Sequence, residues 1–578
     1  MRKFLRAALA AATLLTAACN APKTGETIYL ADYLTEGAAE TDAVPAIRAA
    51  LDACIRTGAS KLVLPGGVLR LWPEMAYEKY QFISNNDESL KRIAFDLTDM
   101  HDLTIDGNGT ELLFTGFISP FNLERCSNIT VCNLKVDYTR TFHSEGIIAG
   151  CGNGWLDLRF PEDYRCEISD GCLRFRDAEG TAYPFSSLLE FDSERREPAF
   201  HANDFWLWTG TIPAEKRPDG TVRIKRTDLT GTVGNVLVFG ASARYNPCFT
   251  LYRSSGVTLR DVDIYHCGGM GVIAQCSRDI ELERVRVTPA PGKNRMISIT
   301  ADATHFVNCG GYVRMIDCLF ENQKDDATNI HGLYMPVEKV LGPDKLLLRW
   351  RNSGQFGVDF LDPGMRVELV SNDTLGAYAH PVVKEVKRYN KLYTEVTFTE
   401  PLPDCVQERH LIADDDHYPD VLIKGCTIRN NRARGLLLGS RARMVIEDNY
   451  FHCAGAALLF EGDGNYWYEQ SGVRDVVVRN NVFENGNDGS FNWGSACSAA
   501  GSGIPDRSAS RYHRNIRIEG NTFRVFDPRV ANVYCVDGFT FTADNRIEMT
   551  QDYPYVLQEQ RHLIVENCDH VQIDWKEN

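Results

Sequence analysis

Three aspartates in two short segments of this chain could together carry acid–base chemistry. Asp302 lies in the segment Ile299-Thr-Ala-Asp-Ala-Thr-His305, and Asp325 and Asp326 are adjacent in a segment that ends at His331. When carboxylates crowd together, their repulsion raises the pKa of one of them, so a protonated acid and an ionised base coexist near neutral pH. Hydrolysis of a glycosidic bond uses such a pair, with roughly 6.5–9.5 Å between the two groups in an inverting reaction.

An internal repeat predicts how these segments come together. We align five segments as the same strand in successive coils of a solenoid: Gly271-Val-Ile-Ala, Ile297-Ser-Ile-Thr, Thr328-Asn-Ile-His, Gly435-Leu-Leu-Leu and Ala457-Leu-Leu-Phe. In this register, the turn before the strand places Lys293 and Arg295 beside Asp325 and Asp326, with Arg434 next. The positions just past the strand bring Asp302, His331 and Glu461 into a row. Because stacked strands lie roughly 4.8 Å apart, Asp302 is expected to face the aspartate pair across one strand width plus the strand's length.

The predicted catalytic residues are therefore Asp302, Asp325 and Asp326. The side chains predicted to bind the substrate or to tune these carboxylates are His305, His331, Arg295, Arg434, Glu461 and Trp467. Each has a plainer reading: the aspartate pair could cap backbone amides or bind calcium, His331 could be structural, and Trp467 and Trp493 could pack instead of presenting a platform to a sugar. Their convergence on one face favours catalysis, and we expect neither a metal nor a cofactor.

A recurring motif indicates the scaffold that positions these residues. An alternating strand is followed by a short turn, often with Asn or Asp, and by a second short strand. Copies begin at Leu103, Ile129, Val257, Ile280, Val313, Val421, Met444, Val476 and Ile516, and the closest copies are 23 residues apart. This period is typical of a parallel β-helix, in which each coil buries its inward side chains on the next. The recurring Asn is expected to be a stacked structural corner.

A helix is predicted in front of the first coil, from Asp42 to Gly58. Thr41 or Asp42 can cap its first turn, where Pro45 is well tolerated, and Gly58 can end it. Its apolar stripe consists of Ile47, Leu51, Cys54 and Ile55. Such a helix can cover the open end of a solenoid.

Two regions break the period, residues 141–245 and 333–412. Both contain alternating strands with Pro-Asp-Gly or Asp-Pro-Gly turns, which are typical of antiparallel sheets. We predict that each is a small β-barrel inserted into a loop of the β-helix, and that the second walls the candidate site because it begins just after His331. The predicted organisation is a signal at 1–19, β-helix at 25–140, 246–332 and 413–578, and insertions between these parts.

The first residues have the pattern of an export signal. A basic start is followed by an apolar run, Ala7 to Leu15, that is too short to span a bilayer. Small residues then end at Cys19. A cysteine at this place resembles a bacterial lipoprotein cleavage site, which predicts a lipid on Cys19 and a location in the cell envelope, in the periplasm or at the cell surface. Ordinary cleavage into the periplasm is the alternative.

Charge and cysteine usage exclude several other classes of function. The formal net charge is −16, from 62 basic and 78 acidic residues, which disfavours a nucleic acid or an anionic membrane surface as partner. The 18 cysteines form no CxxC pair. A zinc or redox site therefore has little support, and buried thiols inside the scaffold are expected, with disulfides an alternative in an exported protein.

Three segments resemble glycoside hydrolase family 110. They are Tyr265-His-Cys-Gly-Gly-Met-Gly, Arg295-Met-Ile-Ser-Ile-Thr-Ala-Asp-Ala-Thr-His-Phe and Gln323-Lys-Asp-Asp-Ala-Thr-Asn-Ile-His-Gly. Members are bacterial exo-acting α-1,3-galactosidases, and the resemblance covers nearly the whole chain after the signal. It implies a pectate-lyase-like right-handed parallel β-helix with barrel-like insertions, an inverting mechanism without a required metal, and galactose-terminated oligosaccharides or glycoconjugates as substrates. It also implies that Asp302, Asp325 and Asp326 form the active site, with Asp325 or Asp326 the expected base.

Two other readings stay open on sequence grounds. One is a polygalacturonase-like inverting hydrolase, although the Asn-Thr-Asp, Gly-His-Gly and Arg-Ile-Lys set of that family is not found at matching coils, and Arg223-Ile-Lys lies in an insertion. The other is a non-catalytic, glycan-binding surface lipoprotein on the same scaffold. Turnover of an α-galactoside distinguishes both from a galactosidase.

Overall fold

The computed structural model describes residues 25–489, 497–499 and 504–576. Trp493 and the predicted signal with Cys19 lie outside these residues. The described chain is almost entirely β-structure, wound into a parallel β-helix that follows a cap helix and carries two antiparallel insertions. The predicted all-β class, with a pectate-lyase-like right-handed parallel β-helix, is confirmed.

The first parallel sheet contains the strands of the recurring motif, in the predicted register. Leu103 pairs with Ile129, Ile129 with Val257, and Val257 with Ile280. The alignment continues through Val313, Val421, Met444, Val476 and Ile516. All nine of these positions are buried, because alternate residues of each strand point into the coil.

The strands of this first sheet are Thr27–Tyr29, Lys61–Val63, Val68–Leu71, His101–Phe114, Ser127–Tyr138, Ser255–Ile264, Arg278–Glu283, Arg286–Val287, Gly310–Ile316, Leu319–Glu321, Asp420–Lys424, Thr427–Arg429, Arg443–Glu447, Tyr450–His452, Asp475–Arg479, Val482–Glu484, His513–Glu519, Thr522–Val525, Val536–Phe541, Arg546–Met549 and Asp569–Ile573. Those of the second sheet, which carries the candidate site, are Tyr77–Gln81, Ser89–Thr98, Ser119–Glu124, Phe249–Tyr252, Val272–Gln275, Thr304–Val307, Thr328–Leu333, Leu436–Leu438, Leu458–Phe460, Glu469–Gln470, Cys497–Ala499, Ala531–Tyr534 and Leu563–Glu566.

One coil of the second sheet differs from the predicted alignment. The strand beside Val272–Gln275 is Thr304–Val307, and residues 297–300 form no strand. The backbone amides of this segment are used elsewhere: that of Ile297 donates to the buried carboxylate of Glu145, and that of Ser298 donates to the Asn322 carbonyl. Because Ile297 and Ile299 are both buried, their alternation imitates a strand.

Stacked asparagines and phenylalanines support the later coils. Asn449, Asn481, Asn521 and Asn545 form a buried ladder in which each amide donates to the side-chain oxygen of the next, at 2.9–3.1 Å. The rings of Phe451, Phe483 and Phe523 stack with centroids 5.0 and 4.9 Å apart. The recurring Asn is therefore a structural corner, as predicted.

The cap helix runs from Val44 to Thr57 and is preceded by one short turn at Ala38–Thr41. Asp42 accepts a hydrogen bond from the Val44 amide, and Gly58 ends the helix with φ of 64°. Of the predicted stripe, Ile47, Leu51 and Cys54 are buried, whereas Ile55 is 60% exposed. Three short 3₁₀ turns lie at Leu30–Tyr33, Glu162–Tyr164 and Ser353–Gln355.

Both insertions are antiparallel sheets. The first contains Ser144–Gly152, Trp155–Arg159, Phe185–Asp192, Glu197–Pro198, Phe205–Trp206, Ala214–Lys216, Val222–Lys225 and Val236–Ala241, with a separate hairpin of Cys166–Ser169 and Cys172–Phe175. The second contains Met335–Gly342, Lys345–Arg349, Val367–Val370, Ala377–Ala379, Val383–Arg388, Tyr393–Phe398 and Leu411–Asp414. The first insertion contacts the coils through Glu197, whose carboxylate lies 2.7 Å from the ring of His452.

The described cysteines are free thiols, most of them buried in the coils, as for Cys126, Cys318 and Cys426. They pack as small apolar groups between rungs. Among the described helices, none has the length and apolarity that crossing a bilayer requires.

Candidate active site

Strand register places Asp302, Asp326 and Arg434 in one column. Thr304 pairs with Thr328, and Thr328 pairs with Leu436. Each of the three column residues lies two positions before one of these paired residues. The Ala303 amide donates to the Asp326 carbonyl at 2.9 Å, which fixes the stacking of the two turns.

The structure therefore corrects the predicted place of Asp302. It lies before its strand, in line with Asp326, and not past the strand in a row with His331 and Glu461. One oxygen from each of Asp302, Asp325 and Asp326 lies within 4.8 Å of the others. The three aspartates are thus closer together than the sequence alignment predicted.

These carboxylates line a cavity of about 900 Å³. The first insertion contributes Asp204 and Trp206, and the chain returning from it contributes Arg244. The second insertion contributes Asn352 and Phe356. Both insertions therefore wall the cavity, as predicted for the second one.

Asp325 is held between guanidinium groups. Its oxygens lie 2.6 Å from Arg244 and 3.4 Å from Arg432. Burial acts to raise the pKa of Asp325, but the positive charges of Arg244, Arg432 and Arg434 outweigh it and hold the pKa below its usual value. Asp325 is therefore ionised at neutral pH.

Asp302 has the opposite environment. Burial and the neighbouring charge of Asp325 raise the pKa of Asp302 to about 8, against the opposing effect of Arg244 and Arg434. Its Oδ2 lies 2.6 Å from Nδ1 of His305. Asp302 therefore carries a proton at neutral pH.

A chain of hydrogen bonds supports the same assignment. Nδ1 of His331 donates to the Gly332 carbonyl at 2.7 Å, and Nε2 of His331 lies 2.8 Å from Nε2 of His305. Burial lowers the pKa of His331, and burial lowers the pKa of His305 to about 4, so both rings are neutral. Neutral His331 then accepts at Nε2, His305 donates from Nε2 and accepts at Nδ1, and Asp302 must be the donor to His305.

Asp326 forms a bidentate ion pair with Arg434. Its oxygens lie 2.8 and 2.7 Å from the guanidinium nitrogens, and Oδ1 also accepts the Arg434 amide at 2.9 Å. Burial and the charges of Asp325 and Asp302 raise the pKa of Asp326 to about 7, although Arg434 opposes them. Since both oxygens already accept hydrogen bonds from Arg434, we assign the proton of the cluster to Asp302.

The same contacts argue against a cation bound by the three aspartates. Hard divalent cations need free carboxylate oxygens, and the oxygens of Asp325 and Asp326 face three arginines. The arrangement suits acid–base chemistry instead.

The other predicted residues divide into two groups. Arg434, His305 and Trp467 line the cavity, and His331 lies behind His305. Arg295 and Glu461 do not line it. The guanidinium of Arg295 binds Asp137 and the Tyr138 carbonyl, both buried, so the prediction that Arg295 binds substrate is wrong.

The acid that takes the place expected for Glu461 is Glu469. It follows an exposed loop and comes alongside Leu333 in an antiparallel bridge. Its carboxylate lies 3.4 Å from the Asn329 amide and 3.7 Å from Nε2 of His331.

Sequence reasoning also missed Arg244, Arg432, Lys324 and Asp204. Arg432 and Lys324 lie within two residues of Arg434 and Asp325, which the alignment singled out, so their positions in the sequence could have indicated them. Arg244 and Asp204 lie in or just after the first insertion, outside the repeat, so the alignment had no register in which to place them.

Two domain models match the chain at the insertions. GLAA-B beta-barrel domain I matches residues 144–237, and GLAA-B beta-barrel domain II matches residues 345–412. The two regions contain most of the strands of the antiparallel sheets described above.

Relatives align with nearly the whole chain. Alpha-1,3-galactosidase A of Shewanella woodyi is 33% identical over 558 residues, which are 96% of this chain and 91% of that protein. Alpha-1,3-galactosidase B of Bacteroides thetaiotaomicron is 30% identical over 582 residues, which are 99% of this chain and 94% of that protein.

Proposed function

The chain belongs to the α-1,3-galactosidase family, glycoside hydrolase family 110, and we propose that it is an exo-acting hydrolase that removes terminal α-1,3-linked galactose from oligosaccharides or glycoconjugates. The observation that carries this proposal is that Asp302 and Asp325 line one cavity in opposite surroundings: burial and a neighbouring carboxylate raise the pKa of Asp302, whereas arginines lower the pKa of Asp325. The polygalacturonase-like and non-catalytic readings are not favoured, because the relatives that match nearly the whole chain are named galactosidases.

In this mechanism Asp302 is the general acid. Its raised pKa keeps it protonated at neutral pH, and its proton passes to the glycosidic oxygen as the bond to galactose breaks. Before transfer this proton lies in the hydrogen bond from Asp302 to Nδ1 of the neutral His305, and that bond breaks as the proton passes to the glycosidic oxygen.

Asp325 is the proposed base. Its carboxylate stays ionised through Arg244 and Arg432 and takes a proton from the water that attacks the galactose ring. Arg434 holds Asp326 beside it through two guanidinium contacts.

Inversion of the anomeric centre is part of the proposal. The nearest oxygens of the three aspartates are within 4.8 Å of one another, whereas inverting pairs generally stand roughly 6.5–9.5 Å apart. The separation in this structure is closer to the roughly 5–5.5 Å of retaining pairs, so inversion is proposed from the family resemblance and not from this distance. Proton NMR of the first product tests this: β-galactose supports inversion, and α-galactose contradicts it.

The activity itself is tested with an aryl α-galactoside and with α-1,3-galactobiose. Wild-type protein should release galactose from both, and Asp325→Asn should abolish release while keeping the fold. Asp475→Asn, an exposed position on a coil away from the cavity, is the matched control and should behave as wild type. Saturable binding of galactosides by the wild-type protein without release would support a binding module instead.

We further propose that the protein is exported and carries a lipid at Cys19. The support is the residue pattern of the first 19 positions. Detergent phase partition and mass spectrometry of the purified protein test it: wild type should enter the detergent phase with an acylated N-terminus, and Cys19→Ala should not.

A further inference from the structure

Asp204, on the first insertion, is an acid in the cavity that the acid–base chemistry leaves without a role. It lies just before the strand Phe205–Trp206, which pairs with Ser187 and Leu188 of the long strand Phe185–Asp192. Its side chain is only 3% exposed, yet it lines the same cavity as the catalytic aspartates.

The two oxygens of Asp204 differ in their contacts. Oδ2 accepts hydrogen bonds from Arg432, at 2.7 Å from Nε and 2.5 Å from the terminal nitrogen. Oδ1 is buried and has no hydrogen-bond partner in the described part of the chain. The amine of Lys324, also in the cavity lining, does not satisfy this oxygen, because it donates to the hydroxyl of Ser187 at 2.5 Å. A buried carboxylate oxygen without a donor is costly, so this oxygen is suited to a donor that arrives with the ligand.

The surroundings indicate what that donor is. Arg432 holds Asp204 and also lies 3.4 Å from an oxygen of Asp325, so one guanidinium joins Asp204 to the proposed base. The ring of Trp206 lies 5.9 Å from the same guanidinium and is half exposed in the cavity. A polar group beside an aromatic face, at the reacting end of the cavity, suits the hydroxyl-bearing ring of a sugar.

We infer that Asp204 is a substrate-recognition residue, whose Oδ1 accepts a hydrogen bond from one hydroxyl of the terminal galactose. The inference rests on the proposed function for its ligand, and it assigns to the first insertion a direct part in choosing the substrate. Asp204 and Trp206 bind the ring, and Arg432 keeps that ring in line with Asp325.

The test is a set of double-mutant cycles between one side chain and one hydroxyl. kcat/KM is measured for p-nitrophenyl α-galactoside and its 2-, 3-, 4- and 6-deoxy analogues, with wild type, Asp204→Asn and the control Asp219→Asn. Asp219 lies in an exposed turn of the same insertion. For one analogue, we expect wild type to lose about 10–100-fold, as for a hydrogen bond to a charged group. Asp204→Asn should lose a similar factor on the parent substrate and almost nothing more on that analogue, and Asp219→Asn should match wild type.

An equal loss of kcat/KM on all five substrates in Asp204→Asn would overturn the inference, since a residue that only positions Arg432 has no partner hydroxyl. Binding of free galactose and its deoxy forms, followed by calorimetry, gives a second readout that needs no turnover. Weaker galactose binding by Asp204→Asn, with lost sensitivity to one hydroxyl, supports the inference even if no galactoside is cleaved, in which case only the proposed function fails. Unchanged binding in the variant, or no galactose binding by wild type, would overturn the inference.

Discussion

Asp302 and His305 are joined by a 2.6 Å hydrogen bond between Oδ2 and Nδ1, and the neutral state of the ring makes the aspartate its donor. Two residues lie between them along the chain, so the bond spans the end of one turn and the start of the next strand. The proposed acid is thus defined by a local contact, whereas the proposed base depends on arginines from distant parts of the sequence.

The pH dependence of kcat/KM should follow these two carboxyl groups. Asp302 must be protonated, so activity should fall as the pH rises through about 8, the raised pKa of Asp302. Asp325 must be ionised, and its lowered pKa places the acid limb below the range of an ordinary aspartate. His305→Leu removes the hydrogen-bond acceptor of the protonated Asp302. The pKa of Asp302 should therefore fall, and the basic limb should move to lower pH. An unchanged basic limb in that variant would contradict the assigned hydrogen-bond chain.

The pH dependence of protein stability should also report the proton on Asp302. Because the pKa of Asp302 is higher in the folded state than in the unfolded chain, its stabilising effect is complete at acidic pH and is lost as the pH rises toward about 8. Asp302→Asn carries no titrating group at this position. The melting temperature of the variant minus that of wild type should therefore increase between about pH 5 and pH 8. A difference that stays constant over this range would mean that Asp302 is ionised in the folded protein.

Arg244 should control the ionisation of Asp325. Arg244→Met removes the guanidinium 2.6 Å from the carboxylate, so the pKa of Asp325 should rise and the acid limb of the pH profile should move to higher pH. We expect kcat/KM to fall by about 10²–10³-fold. Arg244→Lys keeps the charge and should lose less.

The control for this variant is Arg176→Met, which removes an exposed arginine from the hairpin of the same insertion. It should leave both limbs of the profile in place. If Arg244→Met lowers activity without moving the acid limb, then Arg244 positions the substrate and does not act on Asp325.

The asparagine ladder should contribute to stability and not to activity. In Asn481→Ala, the Asn449 amide loses its acceptor and the Ile446 carbonyl loses a donor. Leaving such buried groups unpaired should lower the free energy of unfolding by about 1–3 kcal/mol, measured by urea denaturation. kcat/KM at low temperature should match wild type, because the ladder is not part of the cavity lining. A loss of activity without a loss of stability would mean that the conformation of the active site depends on the ladder.

The sequence predicted those features that repeat at short range. The nine strand copies that begin at positions from Leu103 to Ile516 alternate apolar and polar residues, and a one-residue slip in pairing would turn their buried side chains outward. Their register therefore followed from the pattern. Asp302, Asp325 and Asp326 were found because each lies next to a strand of the repeat.

The remaining site residues depend on contacts that the repeat does not encode. Ile297 and Ile299 imitate a strand because both are buried, Ile297 against the first insertion and Ile299 in the core of the β-helix, and this displaced the predicted position of Asp302. Arg244 and Asp204 reach the cavity only because an antiparallel insertion packs against the coil. Glu469 follows a loop that reverses the chain direction, so strand periodicity does not predict its position.

The most direct test of the account is the dependence of each variant on the leaving group. A dinitrophenyl leaving group needs no protonation, whereas the sugar alcohol of α-1,3-galactobiose does. Asp302→Asn should therefore cleave dinitrophenyl α-galactoside nearly as well as wild type and lose about 10²–10⁴-fold on the disaccharide, while Asp325→Asn should lose activity on both. If instead Asp325→Asn keeps the activated substrate and Asp302→Asn loses both, the proton has been assigned to the wrong aspartate.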